Sequence, residues 1–159
     1  MRDLIVGLAS LFPALGMVPS AGVTAGEDDK EAVIRVLNDY YIAFSKLDVQ
    51  EILPFFHEPS FLVGPGGVAA TSTHAALTAI LTPTMQGLRA RGYGRSELSM
   101  LRVKPLSATT TLASGIAVRY KADGQELERV GVTYLLHKAD GGWKIAVLVA
   151  HDTDKALFE

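Results

Sequence analysis

The stretch ELERVGVTYLLHKADGGWKIAVLVAHD, Glu126 to Asp152, decides the fold. Apolar residues alternate with others through Val130–Leu136 and again through Ile145–Val149, the period of a pleated strand. Asp140-Gly141 separates the two runs and Asp123-Gly124 precedes the first, and Asp-Gly is the pair that two-residue hairpin turns prefer because both central positions want positive φ. The reading is a meander of strands over Thr109–Lys121, Glu126–Lys138 and Trp143–Asp152, with a further strand at Glu97–Pro105. Two-residue turns set the register. Arg119 then opposes Glu128, Ala117 opposes Val130, Ala113 and Val147 both oppose Tyr134, and Val130 opposes His151. Opposed residues share a face. Val130, Val132, Tyr134, Leu136, Ile145, Val147 and Val149 therefore form one apolar surface, with small Ala113, Gly115 and Ala117 leaving room on it. Arg119, Glu128 and His151 fall at its polar end, and a one-residue shift in the last turn would remove His151 while sparing the Arg119–Glu128 pair.

Ahead of the sheet the period changes to that of helices. Val33, Val36, Leu37, Tyr40, Tyr41 and Phe44 make an apolar stripe over Asp28–Lys46, with Asp28 and Glu31 at capping-box spacing. Asp48 and Glu51 repeat that spacing before a short helix, Val49–Phe56. Phe61-Leu62-Val63 reads as a short strand, and Gly64-Pro65-Gly66-Gly67 as a turn or loop. Thr71, Ser72 or Thr73 caps a third helix carrying Leu77, Ile80, Leu81, Met85 and Leu88, in which Pro83 predicts a kink or a break.

With 159 residues the chain has the size of one domain. It has no cysteine, which excludes disulfides and thiol nucleophiles, and no stripe of Lys or Arg for nucleic acid. His57, His74, His137 and His151 lack partners at ligand spacing, so no metal is expected, and no phosphate loop or nucleophile elbow appears. The apolar run Leu4–Val18 followed by Val23-Thr24-Ala25 reads as an export signal over residues 1–25, cleaved before Gly26, leaving residues 26–159 as a single domain without stable membrane insertion. The alternative is a cytoplasmic protein with a mis-annotated start.

The order of elements, with Tyr40-Tyr41-Ile42-Ala43-Phe44 and Asp48 in the first helical pair, Phe55-Phe56 before the first strand, and Gly142-Trp143-Lys144-Ile145 opening the last, resembles the nuclear transport factor 2-like superfamily. That superfamily includes ketosteroid isomerase-like and polyketide cyclase-like proteins. The resemblance implies an α+β fold in which a strongly curved antiparallel sheet wraps three N-terminal helices as a cone-shaped barrel, open at a pocket, and commonly dimeric. It also implies that Tyr40, at the isomerase spacing from Asp48, is an oxyanion donor, and it puts Gly64 where those enzymes carry their general base. Glycine takes no proton.

Three functions follow as expectations. One is a binding domain for a small hydrophobic organic molecule, lined by Tyr40, Tyr41, Phe44, Arg119, Glu128, Tyr134 and His151 and needing no cofactor. Another is an isomerase, dehydratase or cyclase using His151 as base and Tyr40 as oxyanion donor. The last is an association module that dimerises through the back of its sheet.

Overall fold

The computed structural model describes residues 24–157, with side chains from residue 28 onward. Most of the segment read as an export signal lies outside the described residues. Among the described residues no helix is long and apolar enough to cross a membrane.

Helix α1 spans Thr24–Phe44, α2 spans Val49–Ile52 and continues as a 3-10 turn over Leu53–Phe55, and α3 spans His74–Ala90. The strands are β1 (Phe56–Gly64), β2 (Gly67–Thr71), β3 (Tyr93–Pro105), β4 (Thr110–Lys121), β5 (Glu126–Ala139) and β6 (Gly142–His151). They form one curved, open sheet in the order β2-β1-β6-β5-β4-β3. The fold is α+β as expected, but the sheet is mixed, because β1 runs parallel to β6 while every other neighbour is antiparallel.

Local chemistry sets the element ends. Asp48 accepts from the Gln50 amide at 2.9 Å and starts α2; Thr73 accepts from the Ala76 amide at 3.2 Å and starts α3. Asp28 caps nothing, since α1 is already helical there. Pro54 sits at the start of the 3-10 turn, where a missing amide costs little. Pro83 does not divide α3, which runs through it as one helix. The expected loop after Val63 is instead a hairpin: Gly64 pairs with Gly67 around Pro65-Gly66, and β2 follows. Its Val68-Ala69-Ala70 core has too little branching to announce a strand.

The register agrees with the sequence reading through most of the meander and departs from it at two bulges. Ala113 opposes Tyr134, Gly115 opposes Val132, Ala117 opposes Val130 and Arg119 opposes Glu128. Beyond that the ladder slips, and Glu126 faces Tyr120 rather than Lys121. Positive φ falls at Gly124 and Gly142, not at both central residues of either turn. Asp140-Gly141 is still a two-residue loop, with Ala139 opposite Gly142, whereas at the first turn the Lys121 amide donates to the Gln125 carbonyl around three residues, and a bulge follows.

The second bulge has larger consequences. Leu136 opposes Ile145 as expected, but Ala146 is an extra residue and Leu135 opposes Val147. Every later β6 side chain changes face. Leu148 and Ala150 turn inward opposite Tyr134 and Val132, while Val147, Val149 and His151 turn outward opposite Leu135, Thr133 and Gly131. The row of small residues on β4 also has a different use. A side chain at Gly115 would collide with the Ser99 carbonyl, because β3 bulges between Ser99 and Arg102 and folds close over that position.

The core lies between α1, α3 and the inner sheet face. Val33, Leu37 and Phe44 pack there with Leu77, Met85, Leu136 and Ile145. Burying this apolar surface is the dominant favourable contribution to folding. Two phenols lie within it, and Tyr41 and Tyr134 hydrogen-bond each other at 2.5 Å. Removing one hydroxyl leaves the other buried and unpaired, at about 1–3 kcal/mol, whereas removing both leaves no orphan. Tyr134→Phe should therefore lower unfolding free energy by about 1–3 kcal/mol, and Tyr41→Phe/Tyr134→Phe by less than the sum of the single changes, as measured by urea denaturation. Strict additivity would show that the two hydroxyls do not support each other.

Candidate functional site

The register places the main cleft between α1, α3, the β1–β2 hairpin and the inner end of β6. This open cleft has a volume of about 440 Å³, within the range of small-molecule sites. Helix α1 contributes Tyr40 and Phe44, one turn apart on its buried stripe, and α3 contributes Ile80, Leu81 and Thr84. Leu62 and Leu148, paired across β1 and β6, supply apolar wall. Ala150 and Gly64 complete that wall, and Arg119 reaches in from β4.

Arg119 sits at the polar end. Its Nη1 donates to Glu128 Oε1 at 2.5 Å, and Arg91 Nη2 donates to the other carboxylate oxygen at 2.6 Å. The Arg119 guanidinium carbon is 5.8 Å from the Phe44 ring centroid, at the outer reach of a cation–π contact. Its Nε is buried with no acceptor. Such a group costs on the order of 1–3 kcal/mol, so the site retains unused hydrogen-bonding capacity. Burial pushes the Glu128 carboxyl up, but the hydrogen bonds from Arg91 and Arg119 outweigh it and hold the group below its ordinary value. Glu128 is thus an anion at neutral pH, and it is shared by two cations.

Tyr40 is 4 % exposed, and its ring makes edge contacts with Tyr41, Phe55, Phe56 and Tyr134. Its hydroxyl has no hydrogen-bond partner among the described residues. Burial raises the Tyr40 phenol, aided by Tyr41 and opposed by the Arg119 charge. Burial pushes Tyr41 up to about 12 despite its bond to Tyr134, and burial lifts Tyr134 well above its ordinary value. All three are proton-bearing donors at any physiological pH.

The expected site residues therefore separate into three places. Tyr40, Phe44 and Arg119 meet in the cleft, with Glu128 holding Arg119 from behind. Tyr41 and Tyr134 are bonded to each other in the core. His151 is on the other side of the sheet, away from Tyr40, because of the Ala146 bulge. There its Nδ1 meets the Asp152 carbonyl at 2.8 Å and its Nε2 meets the Thr133 hydroxyl at 2.9 Å. A carbonyl only accepts, so in the neutral ring Nδ1 carries the hydrogen and Nε2 accepts from Thr133. The ring and the Asp152 carbonyl lie close over Gly131, where a side chain would have no room. The cleft-lining residues include no carboxylate and no imidazole. This arrangement can hold and polarise a molecule but supplies no group poised to remove a carbon-bound proton. Among the described residues no three His, Asp or Glu side chains gather as a metal site.

The sequence model of an NTF2-like protein family (DUF6841) matches residues 28–153. The chain belongs to this NTF2-like family. No curated protein matches it by sequence. Solved structures match this NTF2-like protein in fold. One is an NTF2-like protein with a cystatin-like fold from Novosphingobium aromaticivorans, 17 % identical, with 85 % of this chain and 90 % of that chain covered and a TM-score of 0.69. Another is a provisionally named dehydratase of the NTF2-like family from Streptomyces avermitilis, 16 % identical, with 79 % and 96 % covered and a TM-score of 0.63. A third, from Xanthomonas campestris, is provisionally named a calcium/calmodulin-dependent protein kinase II association domain; it is 12 % identical, with 74 % and 83 % covered and a TM-score of 0.60. At these identities the likeness is one of fold.

Sequence reasoning missed Leu62, Leu81, Leu148 and Ala150 as cleft walls. Their apolar character was legible. Their convergence needed the β1–β6 parallel pairing and the bulge, neither of which leaves a pattern in the sequence. The three raised phenols have a measurable consequence for this NTF2-like protein. A tyrosine that keeps its proton longer when folded stabilises fully below its unfolded value of about 10 and loses that contribution as pH rises through the folded value. Stability should therefore fall between about pH 10 and about 12, where Tyr41 ionises. Ultraviolet phenolate absorbance should show Tyr40, Tyr41 and Tyr134 ionising together with loss of tertiary signal. Ionisation of all five tyrosines near pH 10 with the fold intact would contradict the burial argument.

Proposed function

We propose that this protein is a small-molecule-binding domain whose ligand is an apolar organic molecule with one polar group, held in the cleft between α1, α3 and the β1–β2 hairpin. The observation that carries the reading is the convergence of the Tyr40 phenol and the Arg119 guanidinium on one otherwise apolar cavity of about 440 Å³. Apolar walls supply affinity in proportion to the area removed from water, and a few placed donors fix orientation. Cofactor-free isomerase, dehydratase or cyclase chemistry is the weaker reading, since Gly64 stands in the cleft without a side chain and His151 faces away.

A neutral fluorescent apolar probe such as N-phenylnaphthylamine should brighten on binding the wild-type protein. Ala150→Phe, which puts a ring into the cleft, should weaken that binding at least about tenfold, or roughly 1.4 kcal/mol, with circular dichroism unchanged. Equal binding by a folded Ala150→Phe protein would remove the cleft as the site.

Association between copies is a second role, supported by a different surface. On the outer face Phe61, Val147, Leu135 and Leu112 are paired in one line across β1, β6, β5 and β4. Phe61 is 42 % exposed. A continuous apolar row on a sheet face favours a second sheet packed against it. Phe61→Asp should then shift sedimentation from dimer toward monomer while leaving probe binding in the cleft in place. A wild-type protein that sediments as a monomer at high micromolar concentration would end this reading.

A further inference from the structure

This inference rests on the cleft reading above and concerns the chemistry of the ligand's polar group. Arg119 is the one charged residue among those lining the cleft. Its counter-ion, Glu128, is shared with Arg91, so two guanidinium groups meet one carboxylate and this end of the cavity carries a surplus positive charge. The way Arg119 uses its donors is equally informative. Glu128 occupies Nη1, while Nε is buried without an acceptor and Nη2 makes no hydrogen bond among the described residues. Nε and Nη2 lie on the same edge of the planar guanidinium. Their two parallel N–H bonds are the fork that matches the two oxygens of a carboxylate. Phe44 stands beside the group and Glu128 holds its Nη1, so the guanidinium is restrained before any ligand arrives. Tyr40 adds a neutral donor in the same cavity.

We propose that the cleft selects an anion: its ligand is an apolar carboxylate, received by the Arg119 guanidinium with its hydrocarbon body against Leu62, Leu81, Leu148 and Ala150. An amide or alcohol with the same body leaves the surplus charge without a partner. An ammonium group is repelled by it.

The test is isothermal titration of the full chain with four compounds sharing one apolar body: naphthoate, naphthamide, naphthylmethanol and naphthylmethylammonium. Naphthoate should bind at least about tenfold more tightly than the amide and the alcohol, with the ammonium weakest, and its advantage should shrink as salt is raised. Arg119→Met should reduce naphthoate to the level of the amide, and Arg119→Lys, which keeps the charge but not the fork, should retain part of the preference. Amide or alcohol binding as tight as that of naphthoate in the wild type would overturn the anion proposal and leave the cleft reading standing. Failure of all four to bind would remove both. If Arg119→Met does not fold, the other two measurements decide, and a naphthoate preference insensitive to both salt and Arg119→Lys would overturn the proposal.

Discussion

One extra residue in β6 governs how this molecule divides its surfaces. At Ala146 the ladder between β5 and β6 slips by one position, and side chains that alternate on a strand exchange faces at that point. Before the slip Trp143 and Ile145 enter the core; after it Leu148 and Ala150 face inward and Val147 and Val149 face out. The inner pair meets Leu62 and Gly64 of β1 and closes the cleft wall. Of the outer pair, Val147 continues an apolar line from Phe61 to Leu112. Cavity and outer stripe are therefore two products of a single backbone irregularity. Neither would be present in its observed form if β6 kept an uninterrupted alternation.

The buried phenols divide along similar lines. Tyr40 and Tyr41 are adjacent on α1, so helical geometry points them about 100° apart. Tyr41 turns toward β5 and satisfies its hydroxyl on Tyr134, which makes the pair part of the architecture. Tyr40 turns toward the cleft and remains without a protein partner for its hydroxyl among the described residues. Burial raises both, yet only Tyr41 has a hydroxyl bonded to a neighbouring side chain. A shifted phenol is thus no marker of function by itself in this fold. Whether its hydroxyl already has a partner is what separates the two roles.

Much of the frame was legible in the sequence, because it rests on local rules. The apolar stripe from Val33 to Phe44, the Asp48 and Thr73 caps, and the register of the Asp140-Gly141 turn all express short-range preferences, and the structure follows them. The Arg119–Glu128 pairing was legible for the same reason, since it lies a short ladder away from its turn. His151 was misplaced because its position depended on counting across the whole length of β6, and one uncounted residue reverses the answer. The β1–β2 hairpin was hidden by alanines that have no marked strand preference. The parallel contact of β1 with β6 joins segments more than eighty residues apart, and no local pattern specifies it. The cleft depends on those non-local features, so its donors could be named from the sequence but its walls could not.

The missing side chain at Gly64 has a consequence for what this scaffold can become. Its φ lies outside the left-handed region, and a Cβ built there would find only Ala150 Cβ, at 3.8 Å, an ordinary van der Waals contact. Neither backbone strain nor crowding requires glycine at this position. The floor of the cavity is consequently open to chemical variation that the packed layers would not register.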